Sequence, residues 1–463
     1  MKNGAICFAR IVTAVTVVAC SVAMADEVRC PIGASVLEQT AFWQSKIDAT
    51  SASGGGRVTV PDGIHTVANL ALKNDVELYL APGCVLQGST NRLDYGYDVK
   101  VKGSSRPMAV LVAVGATNIA VCGKGTVDGR GELYDRVLER GTGRYPKKMR
   151  SGWGCVRFFD CSRVRIEGVT LRNPVTWTCF LRRCEEVTLR GVTVRAHCNW
   201  NNDGIDLEVR RALVENCDID AEDDALVFKT MDAGWETGDV EVRGCTLSSC
   251  ASSLKFGTET KGGFRRYSIH GCRILARTPP GVAYGPRMDK RDLGRTKTPS
   301  GASGSGGIVV AMVDGGQLED VNISDIEIGP GIEVPIFVRL GRRNPPKAYG
   351  ETFLRNVTIS DVRMTAPAAS RVASSITGVP GLNVENVMLR NVSLISPGGG
   401  TDQEAKESVR EAESSYPSAV GTFKIPLPAY GLFVRHAQGV SIENFSCRLM
   451  SPDARPERKV VED

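Results

Sequence analysis

The chain has 463 residues and a formal net charge of +5, with 24% charged and 42% apolar residues. That balance excludes a mainly disordered chain and lacks the charge excess that draws nucleic acid. Fifty glycines against 6% aromatic residues suit many short strands and turns better than a helical bundle, and no internal apolar run reaches the about 18 residues of a membrane span.

Residues 1–25 read as an export signal. Lys2 and Arg10 form a basic start, Ile11 to Val18 a short apolar stretch, and Ala23-Met24-Ala25 a small-x-small cleavage site before Asp26. Cleavage there lowers the net charge from +5 to +3 and predicts an exported protein, periplasmic or secreted. The alternative is Val17-Val18-Ala19-Cys20, a loose lipoprotein box that would lipidate Cys20. Next, Ser53 to Gly63 is a turn-rich lead into strands Val76 to Leu80 and Val85 to Gln87, read as an N-terminal cap and first coils.

A repeat then organises the chain. Val164 to Leu171, Val187 to Val194, Ala212 to Ile219, Val240 to Leu247 and Tyr267 to Ile274 share one form: apolar-x-apolar-x-(Gly/Asn/Asp)-apolar-x-apolar. Further copies run from Val321, Val357, Val387 and Val440. Two alternating strands with a bend, repeated about every 25 residues, predict an all-β solenoid, a parallel β-helix in which each coil stacks on the last. Cys217, Cys245 and Cys272 share one inward position, held in neighbouring coils by Val169, Val192 and Ile326, so they read as core residues rather than disulfide partners. Cys161 and Cys184 form a second such pair. The reading is a single domain over 26–452, interrupted by a charged helical insertion near 402–415 outside the barrel, and a flexible tail over 453–463.

One strand of each coil aligns as Asp203-Gly-Ile-Asp-Leu207, Asp224-Ala-Leu-Val-Phe228, Ser252 to Phe256, Gly306 to Val310 and Val334 to Val338. Ile205/Leu207 and their equivalents point inward; Asp206 and Glu208 point outward. Asp203 and Asp224 fall at equivalent bends of successive coils, about 4.8 Å apart, and Asp223 adds a third carboxylate. Repulsion within such a group raises at least one pKa, which places a proton-holding acid beside an ionised base, as glycoside hydrolysis requires.

Asn201-Asn202-Asp203-Gly204-Ile205-Asp206 resembles the Asn-x-Asp-Gly-Ile-Asp motif of glycoside hydrolase family 28, the polygalacturonase family. Glu222-Asp223-Asp224-Ala225 resembles its Asp-Asp motif, and Gly125-Thr-Val-Asp-Gly129 its Gly-Thr-Ile-Asp-Gly signature. The resemblance implies a right-handed parallel β-helix, secretion, no cofactor, and inverting hydrolysis of an acidic plant cell-wall polysaccharide, pectin. It makes Asp223 the general acid and Asp203 and Asp224 the carboxylates that activate water. The family's Gly-His-Gly motif falls on Ala251-Ser252-Ser253 and its Arg-Ile-Lys motif near Val309-Val310-Ala311, so the His and both cations are absent.

Substitute cations on the same face are Lys229, Lys255 and Arg339, with Asn201 and Trp200 as further substrate-binding candidates; Trp177 and Trp235 are other possible stacking platforms. His197 reads as structural. The phrases Ser253 to Glu259, Val313-Asp-Gly-Gly316 and Leu427 to Gly431 resemble a bacterial branch of the family that includes enzymes acting on rhamnogalacturonan. The expected activity is therefore galacturonosyl hydrolysis by a monomer with no metal and no membrane span. A rhamnogalacturonan hydrolase, a polysaccharide lyase and a non-catalytic binding β-helix are the alternatives.

Overall fold

A computed structural model describes residues 33–96, 108–133, 152–199, 201–277, 304–344 and 352–461. The expected export signal and Trp200 lie outside them. Among the described residues no helix is long and apolar enough to cross a membrane.

The strands pair in parallel, each with the equivalent strand of the next coil, and close into a right-handed three-sided β-helix. The alternation in the repeat determines what fills it. On the first face Leu207, Phe228, Phe256, Val310 and Val338 stack in register and are fully buried. On the second face Val214, Val242, Ile269, Ile323 and Ile359 do the same. Ile219, Leu247, Ile274, Ile328 and Met364 line the third. At about 25 cal/mol per Å² of apolar surface removed from water, this continuous column is the main source of stability.

Each coil turns because its bend residue is left-handed. The Gly/Asn/Asp position of the repeat has φ of +73° at Gly168, +58° at Gly191, +54° at Asn216 and +61° at both Gly244 and Gly271. These residue types adopt that conformation at least cost. Cys217, Cys245 and Cys272 follow the bend, buried and free, as do Cys161 and Cys184 in their own positions.

Helix α1 (Val36–Ala52) closes the N-terminal end. Ser35 and Glu38 form a capping box, while Trp43 and Ile47 seal the column. Gln44 both donates to the carbonyl of Ala71 and accepts from its N–H, at 2.9 and 2.8 Å, and Gln39 accepts from the N–H of Thr66 at 2.8 Å. The helix thereby satisfies backbone groups that the first coil would leave open.

Two C-terminal expectations are corrected. The tail is not loose: Arg458–Val461 forms a strand parallel to Leu432–Arg435, and buried Arg455 donates to Asp453 and to the carbonyls of Arg371 and Leu427. The insertion is helical only over Asp402–Lys406 (α2). Beyond it, residues 407–431 form an irregular strap across the outward side of the first face rather than a helix beside the barrel. Val409, Phe423 and Leu427 bury against Val309, Phe337 and Phe433 there. Burying three large apolar side chains outweighs the weak helix preference of a charged segment.

Candidate active site

Where the strap ends, a cleft of about 960 Å³ opens on the first face. Asn201, Asp203, Asp223, Asp224, Lys229 and Lys255 line it together, with Arg157, Trp177, Phe180, Arg343 and Tyr416. Of the sequence-predicted site residues among those described, Arg339 and Trp235 are elsewhere.

The backbone brings the acids together. Ile205 pairs with Leu226, so two residues earlier Asp203 and Asp224 occupy the same place on successive coils. Both precede their strands, whose first residues are Ile205 and Leu226, and at that bend their side chains reach the cleft despite the inward parity of the strand. The coils touch closely here: the N–H of Gly204 donates to the carbonyl of Asp224 at 2.8 Å, and a Cβ at Gly204 would lie 2.4 Å from the oxygen of Ala225. Asn202 is fully buried and holds the turn, accepting from the N–H of Asn199 at 2.6 Å and donating to Pro174 at 3.2 Å. Asn201 is left-handed (φ +53°), and its amide donates to Asp223 Oδ2 at 3.0 Å.

The three carboxyls have different surroundings. Asp224, 3% exposed, accepts from Lys255 Nζ at 2.6 Å and from the N–H of Ser252 at 3.1 Å. Burial would strip the Lys255 ammonium of its proton, but the charge of Asp224 holds it. Asp203 is also 3% exposed, yet its Oδ1 has no hydrogen-bond partner. Burial, then repulsion by Asp206 and Asp223, raises its pKa well above the usual carboxylate range. Asp223 is half-buried at the open side.

A second charged group lies under the floor. Lys229 Nζ is 2.8 Å from Glu259 and 3.4 Å from Asp206, and it stands over the Trp177 ring at 4.4 Å. Burial opposes ionisation of Glu259, yet Lys229 holds its pKa down to about 2. Asp206, fully buried, is pushed up to about 7, mainly by burial. Glu208 accepts from the N–H of Met231 at 2.9 Å and serves structure.

Arg339 is a correction. It points outward, as its register requires, but the strap covers it to 1% exposure. It donates to the carbonyls of Gly378 and Glu411, both at 2.7 Å, with its guanidinium over Phe423. It therefore anchors the strap and cannot reach a ligand in the cleft. Trp200 lies outside the described residues. Trp177 is in the cleft, whereas Trp235 stacks on Arg210 at 3.9 Å. His197 is buried 3.1 Å from Asp220 and lies outside the cleft lining.

Five of the named cleft or floor residues escaped the sequence reading: Arg157, Phe180, Glu259, Arg343 and Tyr416. Arg157 had a signal, because extending the strand alignment two coils toward the N-terminus places it on the Asp206 row. Glu259 lies past the end of the aligned stretch, and Arg343 and Tyr416 lie on segments without repeat register, so no pattern marks them.

Known proteins match this arrangement in sequence and fold. The family described as glycosyl hydrolases family 28 matches residues 56–249. That span includes the Gly125, Asn201 and Glu222 motifs and stops just before the position of the absent His, well short of that of the absent basic pair. No match was found among curated proteins. The fold is similar to an exopolygalacturonase from Thermotoga maritima, at 18% identity and a TM-score of 0.59 over 88% of each chain. It is also similar to a family 28 exopolygalacturonase from Yersinia enterocolitica, at 16% identity and 0.56, over 91% of this chain and 74% of that one. The surface protein and adhesin PfbA of Streptococcus pneumoniae is similar too, at 12% identity and 0.53, over 93% and 97%. The solenoid is thus shared with an adhesin, so the fold alone does not separate a hydrolase from a surface protein, and the sequence match covers the part of the chain that holds the aspartates. Over residues 56–249, which contain all three aspartates, the chain is similar to glycosyl hydrolases family 28.

Proposed function

We propose that this glycoside hydrolase cleaves galacturonosyl linkages in pectic polysaccharides with inversion, and is exported to do so. The observation that carries the reading is one cleft lined by three aspartates in unequal environments together with Lys229 and Lys255. Asp223, at the open side, gives its proton to the glycosidic oxygen as that bond breaks. Water adds to the anomeric carbon from the opposite face and passes its proton to Asp203, while Asp224, fixed by Lys255 and the Ser252 N–H, orients the water. A carboxylate with raised proton affinity is the stronger base once ionised, which suits Asp203. Protonating that base stops the reaction, so activity falls as pH drops through its raised pKa. The acidic limb of kcat/KM therefore lies above the usual carboxylate range, and a pH profile checks it.

The absence of the family's His and basic pair favours rhamnogalacturonan as a second candidate backbone. Digestion of defined oligogalacturonides and rhamnogalacturonan oligomers, followed by proton NMR of the anomeric centre, tests both. Inverted saturated products support the reading. An unsaturated product absorbing in the ultraviolet would assign a lyase, and Asp223→Asn with full sugar release would remove the acid.

A further inference from the structure

The cleft cations are not equivalent. Lys229 is paired with Glu259 at 2.8 Å, Lys255 with Asp224 at 2.6 Å, and Arg343 with both oxygens of Asp314 at 2.8 and 2.5 Å. Arg157 has no hydrogen bond or ion pair among the described residues, and its Nε is buried without a partner. It lies on the outward row that runs Arg157, Phe180, Asp206, Val227 and Lys255 along the first face. Asp206 is two rungs away, too far for contact but close enough to be the charge that favours its ionisation. Burial acts the other way and brings the Arg157 pKa down to about 10.

Arg157 is half-buried, with its Nε out of solvent and unpaired while the side chain lines the cleft, and a buried donor without a partner costs folding free energy. Such a group persists at a site where an anion arrives to pair with it. The neighbouring wall is aromatic: Trp177 and Phe180 meet edge to face at 5.1 Å, and both line the cleft with Arg157. An apolar wall beside a free planar cation suits a sugar ring carrying a carboxylate, which a guanidinium binds through two parallel hydrogen bonds.

We propose that Arg157 is a specificity-determining binding residue that takes the carboxylate of a uronic acid unit, in a subsite walled by Trp177 and Phe180. From the rung spacing this subsite lies roughly 10 Å along the face from Asp203. It supplies the anion recognition for which the basic pair is missing at 309–311. The assignment rests on the hydrolase reading above for its substrate, though not for its first test.

That test is binding of galacturonate to the full chain, followed by thermal unfolding and calorimetry, for wild type, Arg157→Gln and Arg157→Lys. Galacturonate should raise the wild-type Tm, leave the Gln variant unmoved and give the Lys variant part of the shift. Without ligand, Arg157→Gln should unfold at the same temperature or higher, because it removes a buried donor that has no partner. In turnover, the Gln variant should raise KM for oligogalacturonide by about 10- to 100-fold, as expected for losing a charged hydrogen bond, and leave KM for the methyl-esterified oligomer unchanged. A lower ligand-free Tm with an undiminished galacturonate shift would make Arg157 structural and overturn the proposal, as would equal KM changes for acid and ester. If the wild type cleaves neither oligomer, the hydrolase reading fails, and the galacturonate shift still decides the role of Arg157.

Discussion

The first face of the solenoid has two halves built on the same register and put to different use. Toward the N-terminus its outward row carries Arg157, Phe180, Asp206 and Lys255, and most of these line a cleft. Beyond Lys255 the row continues as Val309, Phe337, Ser375 and Phe433 beneath the strap. Lys255 and Arg339 show the difference. Both are outward, and both are nearly completely buried, at 2% and 1% exposure. One pairs with a cleft aspartate, and the other pins backbone carbonyls of the strap and its neighbour. Outward direction alone therefore does not make a cation a ligand contact; what covers it decides.

The largest effect that would test this division is on the acids. Asp223→Asn and Asp224→Asn should each lower kcat by about 10²- to 10⁴-fold, the usual worth of general acid–base groups, with unchanged circular dichroism. Arg339→Met should leave kcat per folded molecule intact, and an equal loss there would erase the distinction between the halves. Stability separates the same two cations less sharply. Lys255→Met leaves Asp224 buried without its counter-ion and should cost about 3–5 kcal/mol along with activity. Arg339→Met orphans two carbonyls and should cost about 1–3 kcal/mol, read by urea unfolding.

The smallest effect concerns Asp203. Its folded-state pKa lies above the unfolded value, so the folded protein holds the proton longer. The group therefore lowers stability progressively as pH rises from the unfolded pKa toward the folded one. Asp203→Asn should remove that slope and raise Tm at neutral pH by about 2 °C or more. An unchanged or lower Tm would mean that the carboxylate is better solvated than its bare Oδ1 implies.

Much of this was legible in the sequence, because a solenoid repeats its physics. Alternation placed Leu207, Phe228 and Phe256 inside, and the shared register of Cys217, Cys245 and Cys272 identified thiols that pack as small apolar groups. Aligning Asp203 with Asp224 brought the carboxylates to one cleft. What escaped lies where the repeat is silent. The strap crosses coils far from it in sequence, so neither its course nor the burial of Arg339 follows from local pattern. The tail looked polar, yet Arg455 and the strand at Arg458–Val461 dock it through backbone bonds that composition does not encode. Arg157 lies two coils before the first aligned strand, which is why the pattern around Asp203 does not mark it.

The tight seam at Gly204 has a wider consequence. The pitch between Asp203 and Asp224 is set by main-chain hydrogen bonds between adjacent turns, and the strands of each turn pair only with those of its neighbours. The spacing of these two carboxylates is thus insulated from the length of the column. Gaining or losing an entire turn at either extremity alters how long the molecule is, while the gauge at which the two acids stand stays the same.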